Sequence, residues 1–245
     1  MRLHHTRPLS STSTVSRSTS EAPPERGWGA KALIIAVTWL LICALVLGWG
    51  WLLTHPLAQS IDPTDNDIAR WFADQRTSGL DPYADAGTFL GETIVGASAF
   101  FLVGLLVSLV KRSWVPLVFV AVLEAGLGLY YLVATTLITR DRPPVKILQS
   151  GLDPHASYPS GHTATALVFC VGTVLLIWTY FRSARWWFVW LLLLPVGTVL
   201  ARLYMGAHHL TDVLTSVIYA SVWVGVVAAV LLPWHGDASS DASSR

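Results

Sequence analysis

Six stretches of roughly 20 mainly apolar residues dominate this chain, and each is long enough to cross the ~30 Å hydrocarbon layer of a bilayer as a helix. They run over about Ala32–Leu53, Phe89–Val110, Pro116–Leu137, Thr163–Tyr180, Trp186–Tyr204 and Leu214–Trp234. In lipid every backbone N–H and C=O has to find its partner inside the protein, and a single segment achieves this only as a helix. The expected fold class is therefore all-α: a polytopic membrane protein with six transmembrane helices. Only 13% of the 245 residues are charged, about half the ~25% usual in soluble domains. That charge sits in blocks between the apolar runs. No basic stripe interleaved with aromatic residues is present, so nucleic acid is excluded as a partner.

Lys and Arg in the flanks set the orientation. With the N-terminus inside, the inner face collects Arg2, Arg7, Arg17, Arg26, Lys31, Lys111, Arg112, Arg182, Arg185 and Arg245. The outer face keeps Arg70, Arg76, Arg140, Arg142, Lys146 and Arg202 together with an acidic first loop. Both termini are expected in the cytoplasm of a cell whose plasma membrane holds the protein. Residues 1–30, rich in Ser, Thr, Arg and Pro, read as a disordered tail. Residues 31–234 form the membrane domain and 235–245 a short second tail. Cys43 and Cys170 both lie in apolar runs and read as buried hydrophobes.

Ionisable residues next to membrane spans are costly and mark function. Here they gather at three places on one expected face. The first follows span three, T-T-L-I-T-R-D-R-P-P from Thr135 to Pro144, with Lys146 just beyond. The second is Y-P-S-G-H, Tyr158 to His162, at the start of span four. Ser160 there is placed to cap a helix, and the free N–H groups of a helix start attract phosphate. The third is A-R-L-Y-M-G-A-H-H-L-T-D, Ala201 to Asp212. Its His208 and Asp212 are four apart and would share a helix face, where a carboxylate on one ring nitrogen leaves the other free to attack. The same segment read as a metal site would use His208, His209 and Asp212. His209 is otherwise expected to pack, His155 to be a solvated loop histidine, and the mid-span Glu124 to make a helix-packing hydrogen bond.

These motifs resemble those of the type 2 phosphatidic acid phosphatases, whose pattern is K-x6-R-P, P-S-G-H and S-R-x5-H-x3-D. The chain offers Arg142-Pro143, a complete Pro159 to His162, and Arg202, His208 and Asp212 at the family spacing. The resemblance covers about residues 65–234 and implies a helical core shared with vanadium haloperoxidases. It implies a metal-independent lipid phosphatase, with no cofactor, acting on a phosphatidic acid-like monoester in the bilayer. His208 would be the nucleophile, Asp212 its orienting carboxylate and His162 the acid. Arg142, Ser160, Gly161 and Arg202 would bind the phosphoryl group. Two positions depart from the pattern: Thr135 stands where the family has lysine, and Ala201 where it has serine. Arg140 or Lys146 is expected to supply the missing charge beside Thr135. The alternatives are a prenyl pyrophosphate phosphatase and, from another class, a transporter or scaffold with a degenerate site.

Overall fold

A computed structural model describes residues 27–233. Its elements are α1 (Trp28–Thr54), α2 (Ala58–Asp74), α3 (Asp81–Gly91), α4 (Thr93–Lys111), α5 (Val115–Leu137), α6 (Gly161–Tyr180), a 3-10 segment (Arg185–Leu193), α7 (Leu194–Tyr204) and α8 (Leu210–Leu231). The described residues contain no strand, and six helical stretches are long and apolar enough to cross a membrane. These six coincide with the six expected spans. Most of the N-terminal tail and all of the C-terminal one lie outside the described residues. Residues 28–30, placed with the tail, instead open α1.

The boundaries that moved have local causes. Span two begins at Thr93 rather than Phe89, because Glu92 is extended and breaks the apolar run into α3 and α4. Span five is a 3-10 segment passing into α7 at Pro195, a ring that lacks an N–H and fits only the first turn of a helix.

The most enclosed helix is α6, with α8 and α5 against it and α1 at the rim. Apolar packing between helices gains little from lipid exclusion, so close approach matters more. Two glycines show it: a Cβ on Gly126 would stand 2.3 Å from the Trp223 ring, and one on Gly172 2.3 Å from the Phe100 ring. Two indoles of this core donate to backbone carbonyls, the partly buried Trp39 to Gly126 at 3.0 Å and the buried Trp223 to Leu123 at 3.2 Å. Leu45, Ile94, Leu109, Leu132 and Ile218 point outward, where acyl chains would cover them.

Helices α2 and α3 were not foreseen. They cap the end of the bundle formed by the C-termini of α5 and α7 and the N-termini of α6 and α8. Helix α3 is pinned to α7 by Thr198 Oγ1, which donates to the Gly87 carbonyl at 2.9 Å, and by the Tyr204 hydroxyl, which donates to Asp81 at 2.7 Å. Arg76, just after α2, donates to the Tyr204 carbonyl at 2.9 Å.

Candidate active site

Two loops build the site over this capped end: 138–160 between α5 and α6, and 205–209 between α7 and α8. Gly206 turns the second loop at φ 67°, and a side chain there would collide with Arg76 and Val145 at 2.7 Å. Arg142 ties the loops together. Its guanidinium donates to the carbonyls of Asp153 (2.7 Å), Ala156 (2.9 Å) and Ala207. Three of its five N–H donors are thus engaged, and two remain. Burial lowers its pKa, opposed by Tyr131 and nearby carboxylates.

His208 is buried in the second loop. Its Nδ1 lies 2.6 Å from the Ser157 carbonyl. A carbonyl only accepts, so Nδ1 carries the proton and Nε2 of the neutral ring has a free lone pair. Burial holds the ring pKa well below its ordinary value. The charges of Arg202 and Arg142 act in the same direction and outweigh Asp212.

Asp212 does not contact that ring, and this corrects the expected His208–Asp212 pairing. Helix α8 begins only at Leu210, with His209 as its N-cap, so His208 precedes the helix and shares no face with Asp212. The carboxylate of Asp212 instead accepts from the His209 amide (2.9 Å), the Ser157 hydroxyl (2.6 Å) and Arg140 Nη1 (2.6 Å). Ser157 therefore stands between the two, receiving His208 on its carbonyl and donating its hydroxyl to Asp212.

Arg140 is the second correction. Expected to replace a missing phosphate-binding cation, it is buried and turns both terminal nitrogens to other partners. Nη1 also donates to Thr211 (2.7 Å), and Nη2 donates to Asp65 (2.9 Å) and Asp62 (3.1 Å) of α2. Burial opposes its charge, but Asp212 and Asp65 more than compensate and raise its pKa. Lys146 is exposed on the loop surface, and Thr135 turns its hydroxyl back to the Tyr131 carbonyl at 2.8 Å. Neither is drawn into the cluster.

Arg202, in the last turn of α7, is fully buried. Its Nη1 meets the side chains of Gln149 and Thr88, while Nε and Nη2 are buried without a partner. Such orphaned donors are rare and call for an acceptor that arrives from outside. At the start of α6, Ser160 caps the helix, its Oγ 3.5 Å from the Thr163 amide and 3.0 Å from Thr163 Oγ1. Gly161 packs against Tyr131, where a Cβ would meet the ring at 3.0 Å. The amides of this first turn have no intrahelical acceptor. His162 follows, its Nε2 buried and unpartnered.

His209 packs as expected, with Nε2 3.2 Å from Asn66 and Nδ1 3.4 Å from Asp212. With His208 turned to Ser157, the trio His208, His209 and Asp212 does not converge on a point. Among the described residues no group of three or more His, Cys, Asp or Glu is arranged to hold a metal ion. His155 is exposed and pairs with exposed Asp141 at 2.6 Å, a contact of little energetic weight. Glu124 departs from expectation: its Oε1 is buried with no hydrogen-bond partner.

Asp62, Asp65 and Asn66, Ser157, and Gln149 were missed. The α2 residues had one available signal, because Asp62 and Asp65 are three apart and share a helix face. Ser157 had none, since its carbonyl does half the work and every residue has one.

Comparison with known proteins bears on the family and the fold. The model of the family described as the PAP2 superfamily matches residues 113–235, half of the chain. A solved structure, the first transmembrane PAP2-type phosphatidylglycerolphosphate phosphatase from Bacillus subtilis, superposes with a TM-score of 0.62. The superposition covers 81% of this chain and 94% of that one at 20% identity. No curated protein matches by sequence.

Proposed function

This chain belongs to the PAP2 superfamily, and from that footing we propose that it is a phosphatase acting on a phosphate monoester of a membrane lipid, with His208 as nucleophile. The observation that carries the reading is a set of hydrogen-bond donors without acceptors on groups whose charges act on His208. Arg202 holds Nε and Nη2 buried and unpaired, Arg142 has two uncommitted donors, and the first turn of α6 offers free amides. A phosphoryl group satisfies all three, and planar guanidinium groups suit its oxygens.

The reaction follows from the tautomer. Nε2 of His208 attacks phosphorus and an N–P bond forms as the ester P–O bond breaks. The departing oxygen takes a proton from His162. The ring is now cationic, and the Ser157 carbonyl with the Asp212 carboxylate behind it favours that charge. Water then attacks the phosphohistidine, giving up a proton to His162, and inorganic phosphate leaves. Fixed donors supply the charge stabilisation, which is commonly the largest catalytic term, and the scheme needs no metal. The Lys and Arg distribution supports termini in the cytoplasm and the site on the outer face. Residues 31–234 would act as one catalytic membrane domain.

Phosphate release from phosphatidic acid and from a prenyl pyrophosphate, measured in EDTA for wild type and His208→Ala, tests the proposal. Release that persists in EDTA and vanishes with His208 is the expected result. Release abolished by EDTA, or retained without His208, refutes the mechanism.

A further inference from the structure

Glu124 has no part in the reaction proposed above, yet it shares a cavity with His162. This cavity of ≈ 170 Å³ lies between α5, α8 and the first turns of α4 and α6, and Thr93, Glu124, Tyr131, Gly161, His162 and Tyr219 are among its lining residues. Tyr131 packs on Gly161 next to His162. Glu124 is seven residues before Tyr131 on α5, two turns or ~10 Å deeper. The cavity therefore leads from His162 toward the membrane interior and passes the carboxyl of Glu124.

Three residues lining it carry a buried polar atom without a partner: His162 (Nε2) beside the site, Glu124 (Oε1) further in, and Tyr219 (its hydroxyl) on α8. Orphaned groups of this kind are few in a folded protein, and three around one cavity call for a hydrogen-bonding occupant. No Lys or Arg lines the wall. A phosphate there would face a carboxyl with no cation to offset it, whereas an uncharged hydroxyl satisfies Glu124 in either protonation state. The volume is near the ~150 Å³ known to hold a benzene ring, enough for a three-carbon polyol unit and too small for an acyl chain.

Resting on the phosphatase reading, we infer that this cavity receives the leaving group, and that Glu124 hydrogen-bonds to a free hydroxyl on the departing alcohol. As the P–O bond breaks, its electrons go to the departing oxygen, which takes the His162 proton. The alcohol emerges neutral, and Glu124 neither gives nor takes a proton. Glu124 is then a specificity-determining residue. It selects phosphate monoesters of uncharged polyol head groups over pyrophosphates, whose leaving group is itself an anion.

The test uses the full chain in detergent with a lipid-linked glycerol phosphate monoester and its propanediol counterpart, which lacks the one free hydroxyl. Wild type is expected to favour the hydroxylated substrate by roughly tenfold or more in kcat/KM. Glu124→Leu brings that ratio near one, and Glu124→Gln, which keeps a hydrogen-bonding amide, retains part of it. A wild-type ratio near one overturns the inference. So does a ratio that survives Glu124→Leu, since a merely structural residue would lower both substrates alike. A second measurement is independent of turnover: the dephosphorylated diol lipid shifts a carboxyl infrared band that Glu124→Gln lacks, and the deoxy alcohol does not. An unshifted band overturns the subsite even in an active phosphatase. A shifted band in protein that hydrolyses neither substrate upholds the hydroxyl site and sinks the phosphatase reading instead.

Discussion

Replacing Arg140 with methionine separates a scaffold role from a phosphate-binding one. The guanidinium neutralises Asp65 and Asp212, both almost without solvent contact, and the half-exposed Asp62. Removing one partner of a buried ion pair costs about 3–5 kcal/mol, because the charge left behind stays desolvated. Asp62 adds little, since it reaches water. For a chain of this size each kcal/mol shifts Tm by about 2–4 °C, so Arg140→Met should lower the detergent Tm by roughly 6–20 °C. The loss should shrink when Asp65→Asn is added, with a coupling of about 1–3 kcal/mol, because the two residues share one network. Differential scanning fluorimetry supplies Tm, and initial rates below the transition supply kcat and KM. If Arg140 instead grips substrate phosphate, KM rises tenfold or more while Tm stays within a degree or two of wild type. That pattern refutes the scaffold assignment.

Other expectations concern the phosphate cradle. Arg202→Lys keeps the charge but loses the fork that leaves Nε and Nη2 free, and should lower kcat by on the order of 10²-fold; steady-state rates within twofold of wild type would contradict it. The free-enzyme pKa of His208 is lowered, so the nucleophile is unprotonated above that pKa and gains its inactivating proton only as pH falls through it. The acid limb of kcat/KM assigned to His208 should therefore lie below pH ~6.5. Arg142→Gln removes one of the charges that lower this pKa and should move the limb to higher pH; a limb that stays put or moves down counts against the assignment.

Much of this protein was legible because the membrane leaves few options. A run such as Pro116–Leu137 has one viable spanning form, and α5 occupies Val115–Leu137. P-S-G-H likewise announced the start of α6, with Ser160 as its cap. Legibility failed where a residue's partner is remote. Arg140 meets Asp65 across 75 positions and Asp212 across 72, and neither periodicity nor spacing carries that information. The four-residue gap between His208 and Asp212 misled for a related reason. It implies a shared face only inside a helix, and His209 is where α8 is capped.

Helix α2, the first of two between the first two spans, ties the two halves of the chain together. Every recognisable motif falls in residues 113–235, as though the second half were a catalytic module with a membrane anchor attached. Yet Asp62, Asp65 and Asn66, which hold Arg140 and His209 in place, belong to the first half. A chain cut back to the matching half would keep His208, His162, Arg142 and Arg202, and would leave Arg140 without Asp62 and Asp65. The two halves meet at this end through polar side chains of α2 as well as through the packing of their helices.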